Sequence, residues 1–237
     1  MNNKKILLIF DFDKTIIEED TDVQVVNMFP LEKVKELKIK MDELSYDWIK
    51  FMHFVFREMP QYNLTIDNIK QCFDNIHLSR GFEFLFSFLK ENKEFFEIVI
   101  FSGSNTFNVT YILNRFRLDD LFDCIISNEG NPDEKYILNL QRYHEHNCES
   151  CDRCMCKAKI LEDYTENKQY EKIIFVCDGN NDYCLSKKLE KNDKIFVRKD
   201  YSLYRKLYNK GWKDNLQCDI KCWENGNEIV EWLKTEI

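Results

Sequence analysis

The sequence predicts an α/β protein built on a doubly wound parallel sheet. Three observations carry that expectation. First, short apolar runs ending in polar residues recur at Ile6–Phe10, Phe96–Phe101 and Lys172–Val176. Such a run reads as a strand buried on both faces, the habit of parallel sheets. Second, stretches with apolar residues three and four apart lie between the runs, and strand–helix alternation marks a wound sheet. Third, 237 residues, 44% hydrophobic and 14% aromatic, suffice for one such core with an insertion or for two small domains.

The first strand runs straight into Asp11-Phe12-Asp13-Lys14-Thr15. Strand alternation points Asp11 and Asp13 the same way, with Phe12 opposite. Ligands of open α/β sheets sit beyond the carboxyl ends of the strands. Two carboxylates there repel unless a cation or a shared proton intervenes. Mg2+ suits them, because it takes carboxylate oxygens and keeps waters and a substrate phosphate. After the acidic turn Ile16–Asp22 the pattern becomes helical from Val23. Leu44, Trp48, Phe51, Met52, Val55, Phe56 and Met59 share one helical face, ended by Pro60, and that stripe reads as core, with a substrate-lining face as the alternative. Thr65 reads as the N-cap of a further helix with Ile66, Ile69, Phe73 and Ile76 inward. Residues 17–80 are therefore expected to form a small helical domain, inserted into a core made of 1–16 and 81–237.

A helix follows Gly81. The strand at 96–101 ends at Ser102-Gly103-Ser104-Asn105, and a helix with Phe107, Tyr111 and Phe116 leads to a short strand at Cys124–Ser127. Residues 128–155 read as irregular, with a β excursion at Tyr136–Leu140. A helix from about Cys156 to Asn167 precedes the strand at 172–176, which ends in Cys177-Asp178-Gly179-Asn180-Asn181-Asp182. A short helix, a strand at Lys194–Val197, a helix around Tyr204–Tyr208, a strand at Asp219–Trp223 and a final helix complete the chain. Six glycines and three prolines argue against long structureless loops.

The net charge of −8 makes nucleic acid and anionic membranes poor partners. The five-residue apolar stretch before Asp11 is too short for a signal peptide, and no stretch reaches transmembrane length, so a cytoplasmic protein is expected. Its ten cysteines then read as thiols or metal ligands. His144, His146, Cys148, Cys151, Cys154 and Cys156 fall within 13 residues. Four such ligands hold tetrahedral zinc, so these six are candidate zinc ligands, with reduced packing thiols as the alternative. Cys72, Cys124, Cys177, Cys184, Cys218 and Cys222 are scattered and read as buried.

Carboxylates for a metal, a hydroxyl, glycine amides and a lysine make a set suited to a phosphoryl group. DFDKT at Asp11–Thr15, Ser102 after a strand, Lys157, and DGNND at Asp178–Asp182 closely resemble the haloacid dehalogenase (HAD) superfamily of phosphatases. FDFDKTIIEEDTD (Phe10–Asp22), SNTF (Ser104–Phe107), YHEHNCESCDRCMCKAKIL (Tyr143–Leu161) and CDGNNDYC (Cys177–Cys184) resemble its phosphoethanolamine/phosphocholine phosphatase group. That group includes pyridoxal-phosphate phosphatase-like members and plant relatives acting on other small phosphates. The resemblance spans almost the whole chain.

It implies a HAD-like, Rossmann-like core with a helical cap after the first motif. Asp11 would attack phosphorus and form an aspartyl-phosphate, and Asp13 would protonate the leaving alcohol and then activate water. Mg2+ would be held by Asp11, the main-chain carbonyl of Asp13, and Asp178, with Asp182 orienting ligands. Ser102, the Gly103 amide and Lys157 would hold phosphate oxygens, with Asn181 as a further candidate. The residue matching Asp22 faces the substrate amine in that group, whereas Gly103 stands where a second acidic residue is expected.

Plain structural readings stand beside these. Asp22 could cap the helix at Val23, Asp182 could cap the helix after it, Ser102 could be a turn serine, and Lys157 could be a solvated helix lysine. The expected activity is hydrolysis of a small soluble phosphomonoester, phosphoethanolamine- or phosphocholine-like. Pyridoxal phosphate, thiamine monophosphate and pyrophosphate are alternative substrates. A phosphotransferase and a non-catalytic, zinc-organised interaction module are the rival functions.

Overall fold

Ile6–Phe10 forms β1, the central strand of a seven-stranded sheet. In this computed structural model, residues 5–134, 137–148, 151 and 154–237 are described. All five β1 residues are buried, with β2 and β5 flanking the strand on either side. The Phe10 ring meets Phe82, Phe86 and Phe122 edge-on at 6.1–6.3 Å. Truncating such a ring to alanine costs about 3–5 kcal/mol.

Four helices follow β1: α1 (Thr21–Val26), α2 (Leu31–Glu43), α3 (Trp48–Glu58) and α4 (Ile66–Phe73). The ends of this insertion are tied together by an antiparallel bridge between Ile17 and Leu78 and by the Ser79 N–H on the Ile16 carbonyl, 2.9 Å. The helix expected from Leu44 begins instead at Trp48. Ser45 and Tyr46 are left-handed (φ 52° and 57°), which interrupts helical hydrogen bonding, and Asp47 caps the restart by accepting from Lys50 N.

The core resumes with α5 (Phe82–Glu91), β2 (Phe96–Asn105), α6 (Thr106–Arg115), β3 (Cys124–Pro132) and β4 (Leu138–Gln141). It continues with α7 (Lys157–Thr165), β5 (Lys172–Cys177), α8 (Tyr183–Ser186) and β6 (Lys194–Arg198), and ends with α9 (Ser202–Asn209), β7 (Asp219–Trp223) and α10 (Gly226–Leu233). The strand order is β4-β3-β2-β1-β5-β6-β7, parallel except for β3–β4. The β excursion is β4, shifted to 138–141; Tyr136 lies outside the described residues. β4 and its sequel touch the insertion: His53 Nε2 accepts from Leu140 N at 2.8 Å, and Arg142 pairs with Asp47 at 2.5 Å.

The chain steps outward from β1 through β2 and β3, then returns to the other side of β1 for β5, β6 and β7. That reversal is the switch point at which wound sheets bind ligands. Phe10 is in register with Ile100 and Val176, so the ends of β1, β2 and β5 open at one level. Among the described residues, no helix is long and apolar enough to cross a membrane.

Candidate active site

Asp11 leaves β1 with its N–H still bonded to the Val176 carbonyl (2.9 Å), so its side chain emerges at the switch point. Lys157, the first residue of α7, reaches in from the side. It is no solvated helix lysine: it is 1% exposed, and its Nζ lies 2.6 Å from both Asp11 Oδ1 and Asp182 Oδ1. Burial alone would lower its proton affinity, but the two carboxylates outweigh burial and raise it. The ammonium therefore stays charged.

Asp178 directly follows β5, and Asp182 lies four residues further on, in the turn before α8. Their side chains and that of Asp11 place carboxylate oxygens within 4.8 Å of one another, all buried. Asp182 does not cap α8 through its side chain, which instead accepts from the Gly179 N–H (2.8 Å) and from Lys157. A Cβ on Gly179 would lie 2.4 Å from Asn181 Oδ1, so any larger residue there would displace the Asn181 side chain. Burial first, then the charges of Asp11 and Asp182, push Asp178 up to about 9. Burial, with the Asp11 charge, pushes Asp182 up to about 7. Three buried carboxylates sharing one ammonium are a donor set with surplus negative charge, which fits a hard divalent cation.

Asp13 turns toward the insertion. Its Oδ1 accepts from Thr21 N (2.9 Å) and its Oδ2 from Thr21 Oγ1 (3.3 Å). Burial first, then the Asp20 and Asp22 charges, raise Asp13 well above the ordinary carboxylate range, opposed by the Thr21 N–H. Lys14 adopts a left-handed conformation (φ 58°) and pairs with Asp20 at 2.7 Å.

A cavity of about 490 Å³ opens over this floor. Asp11, Asp13, Gly103, Ser104, Asp178 and Asn181 line it from the core, and Asp20, Asp22 and Trp48 from the insertion. Lys14 and Lys206 are the cations in its wall. Asp22 is not an N-cap; Asp20 caps α1 by accepting from Val23 N. Asp22 is 4% exposed and accepts from Trp48 Nε1 (2.5 Å) and Asn108 Nδ2 (3.4 Å). Burial and the Asp20 charge push it up to about 7, against those two donors.

Ser102 lies behind the wall, its Oγ accepting from the Ser104 N–H at 3.1 Å. The β2–β3 register shifts between Ser102 and Asn105, and this irregularity turns Gly103 and Ser104 into the cavity. Ser104 Oγ is 2.8 Å from Thr21 Oγ1, linking β2 to the support of Asp13.

Sequence reasoning missed three groups here. Trp48 belongs to the stripe read as core rather than substrate-lining; Phe51, Met52, Val55 and Phe56 are buried, but Trp48 at the helix start lines the cavity, as the alternative has it. Its polar-tipped ring next to a cap was the available signal. Thr21 and Ser104 carried no signal beyond their neighbours.

The zinc candidates need correction. The sulfurs of Cys148, Cys151 and Cys156 do converge, but their fourth neighbour is Cys184, which had read as an isolated buried cysteine. Cys154 lines the carboxylate cavity instead. His144 and His146 lie outside the sulfur group and accept from the main-chain N–H groups of Cys156 (3.1 Å) and Cys148 (3.2 Å).

A family model described as Putative Phosphatase matches residues 6–237. Pyridoxal phosphate phosphatase PHOSPHO2 of Mus musculus is 31% identical, over 97% of this chain and 98% of its own length. Phosphoethanolamine/phosphocholine phosphatase of Gallus gallus is 33% identical, over 97% of this chain and 88% of its own. A substrate-bound phosphoserine phosphatase structure shares the fold, with a TM-score of 0.65 at 18% identity over 98% of this chain and 99% of that one. With a family match along nearly its whole length and relatives above 30% identity end to end, the chain belongs to this family of HAD phosphatases and is a phosphoric monoester hydrolase.

Proposed function

We propose that the protein hydrolyses a small phosphomonoester bearing a cationic group, of the phosphoethanolamine or phosphocholine kind, through an aspartyl-phosphate on Asp11. The observation that carries this reading is one cavity with the Lys157-held Asp11 at its floor and Asp22, backed by Trp48, in its wall. A carboxylate beside an indole suits an amine or quaternary ammonium. Residues 17–80 would act as the cap that carries this pair and limits water at the site.

Asp11, the main-chain carbonyl of Asp13, and Asp178 would hold Mg2+, with Asp182 orienting them. When bound, the ion supplies positive charge to the phosphate oxygens. Lys157 fixes one Asp11 oxygen, and the other attacks phosphorus as the ester P–O bond breaks. Asp13, holding its proton, gives it to the leaving oxygen. Asp13 then takes a proton from water, which attacks the phosphorus; the bond to Asp11 breaks and inorganic phosphate leaves. Gly103 and Asn181 line the cavity, where the Gly103 amide and Asn181 would bind phosphate oxygens, and the Ser102 hydroxyl accepts from the Ser104 N–H in the same turn. The ten unbridged cysteines support a reducing, cytoplasmic setting.

A second reading, a pyridoxal phosphate-like substrate, is favoured by one observation. Gly103 leaves the cation pocket with one of its two expected carboxylates, while the Trp48 ring remains available to stack on a flat substrate. Purified protein with Mg2+ is assayed against phosphoethanolamine, phosphocholine, pyridoxal phosphate, thiamine monophosphate, pyrophosphate and an aryl phosphate. The highest kcat/KM on the amine-bearing esters supports the first reading, and on pyridoxal phosphate the second. Asp11→Asn should abolish turnover while the circular dichroism spectrum persists; wild-type turnover in that variant overturns the covalent route.

A further inference from the structure

Away from the carboxylate floor, the described residues bring together a second set of metal-ligating side chains. The sulfurs of Cys148, Cys151, Cys156 and Cys184 all lie within 4.8 Å of one another. Three come from the chain before α7 and the fourth from α8. Cys156 and Cys184 are buried, Cys148 and Cys151 are half-buried against them, and none is in a disulfide.

We propose that these four cysteines form a tetrathiolate site for Zn2+. Zinc–sulfur bonds of about 2.3 Å in a tetrahedron place the sulfurs about 3.8 Å apart. Cys151 and Cys184, now 2.9 Å apart, would separate by about 1 Å to accept the ion. Cys148 and Cys151 have the Cys-x-x-Cys spacing of one half of a structural zinc site. The second half pairs Cys156 with a cysteine from a different element.

Main-chain N–H groups and cations stand near the sulfurs. The main-chain N–H groups of Ala158 and Lys159, in the first turn of α7, bond to Cys184 and Cys156. The Lys157 charge acts on Cys184, and Lys188 interacts with Cys156 and Cys148. His144 and His146 hold the cysteine main chain and leave the four sulfurs as the ligands. Binding one Zn2+ displaces four thiol protons and leaves a complex of net charge two minus; the nearby cations are Lys157, paired with Asp11 and Asp182, and Lys188, paired with Glu162.

The site has a consequence for the carboxylate floor. Cys156 immediately precedes Lys157, and Cys184 lies two residues after Asp182. The ion would clip the segment that delivers Lys157 to the turn that delivers Asp178 and Asp182. It is a positioning device and touches no substrate.

The test is elemental analysis of full-length protein purified in reductant and then reconstituted with Zn2+ and desalted. One zinc per chain is expected. Exchange for Co2+ should give thiolate-to-cobalt charge-transfer absorption with the visible bands of a tetrahedral ion. Cys184→Ser and Cys148→Ser should lose the metal, while Cys72→Ser and His144→Ala retain it. Should the cysteine variants fail to fold, the wild-type stoichiometry and cobalt spectrum decide alone. No zinc after reconstitution, a cobalt spectrum without thiolate bands, or a Cys151–Cys184 disulfide leaving eight titratable thiols would overturn the proposal. Because metal content is read without turnover, its failure is separable from failure of the phosphatase reading.

Discussion

Replacing Lys157 by methionine keeps the length of the side chain and deletes its charge. Nζ lies 2.6 Å from carboxylate oxygens of both Asp11 and Asp182, and all three side chains are buried. Removing one partner of a buried ionic group costs about 3–5 kcal/mol, because the remaining charge is left without water or counter-ion. In a chain of this size 1 kcal/mol moves Tm by about 2–4 °C, so the metal-free variant should melt about 6–20 °C below wild type. Adding Asp182→Asn removes one stranded carboxylate, and the pair should recover about 1–3 kcal/mol relative to additivity. Mg2+ should also recover part of the loss, by replacing the missing positive charge. Calorimetry in EDTA and in Mg2+ reads these shifts, and hydrolysis of an aryl phosphate should fall at least about a hundredfold. A metal-free Tm within about 2 °C of wild type, or strictly additive variants, would refute the view of Lys157 as counter-ion to the carboxylate floor.

Three further outcomes follow from the same geometry. The folded state holds protons on Asp178 (about 9), Asp182 (about 7) and Asp13 that the unfolded chain releases near pH 4. The metal-free protein should therefore lose stability as pH rises from about 4 to about 9, and Mg2+ should flatten that slope; a flat metal-free melting profile contradicts the assignment. Trp48→Phe keeps a ring but removes the donor to Asp22, so Asp22 should hold its proton to higher pH. KM for phosphocholine should then rise severalfold near neutral pH and less in alkali, and an unchanged KM in steady-state kinetics would remove Asp22 and Trp48 from substrate binding. Gly103→Asp has room, since a Cβ there meets only Asn181 Nδ2 at 3.8 Å and Cys154 Sγ at 4.0 Å. It should raise kcat/KM for amine-bearing over neutral phosphates by about tenfold, the equivalent of about 1.4 kcal/mol, and no change would show that Gly103 is not the selectivity switch.

Much of this protein is written locally. Ile6–Phe10 must be a buried strand because five adjacent apolar residues have no solvent face to spare, and Asp11 and Asp13 must then stand at its end. The same logic reads β2, β5 and the groups after them, and hence the chemistry of the floor. The interruption at Ser45 and Tyr46 was not legible, because neither residue type announces a left-handed turn. Trp48 was misread for a related reason: helical periodicity says which face is covered, not whether protein or cavity covers it.

What the sequence by itself determined is the set of reacting groups and their strands, since hydrophobic runs and the residues that end them are neighbours in the chain. What only the tertiary structure decided is which distant groups meet. Lys157 is joined to Asp11 across 146 positions, and Cys184 to Cys151 across 33. Such meetings depend on how strands order themselves about β1 and where α7 and α8 pack, a balance of burial over the whole core that no short stretch encodes.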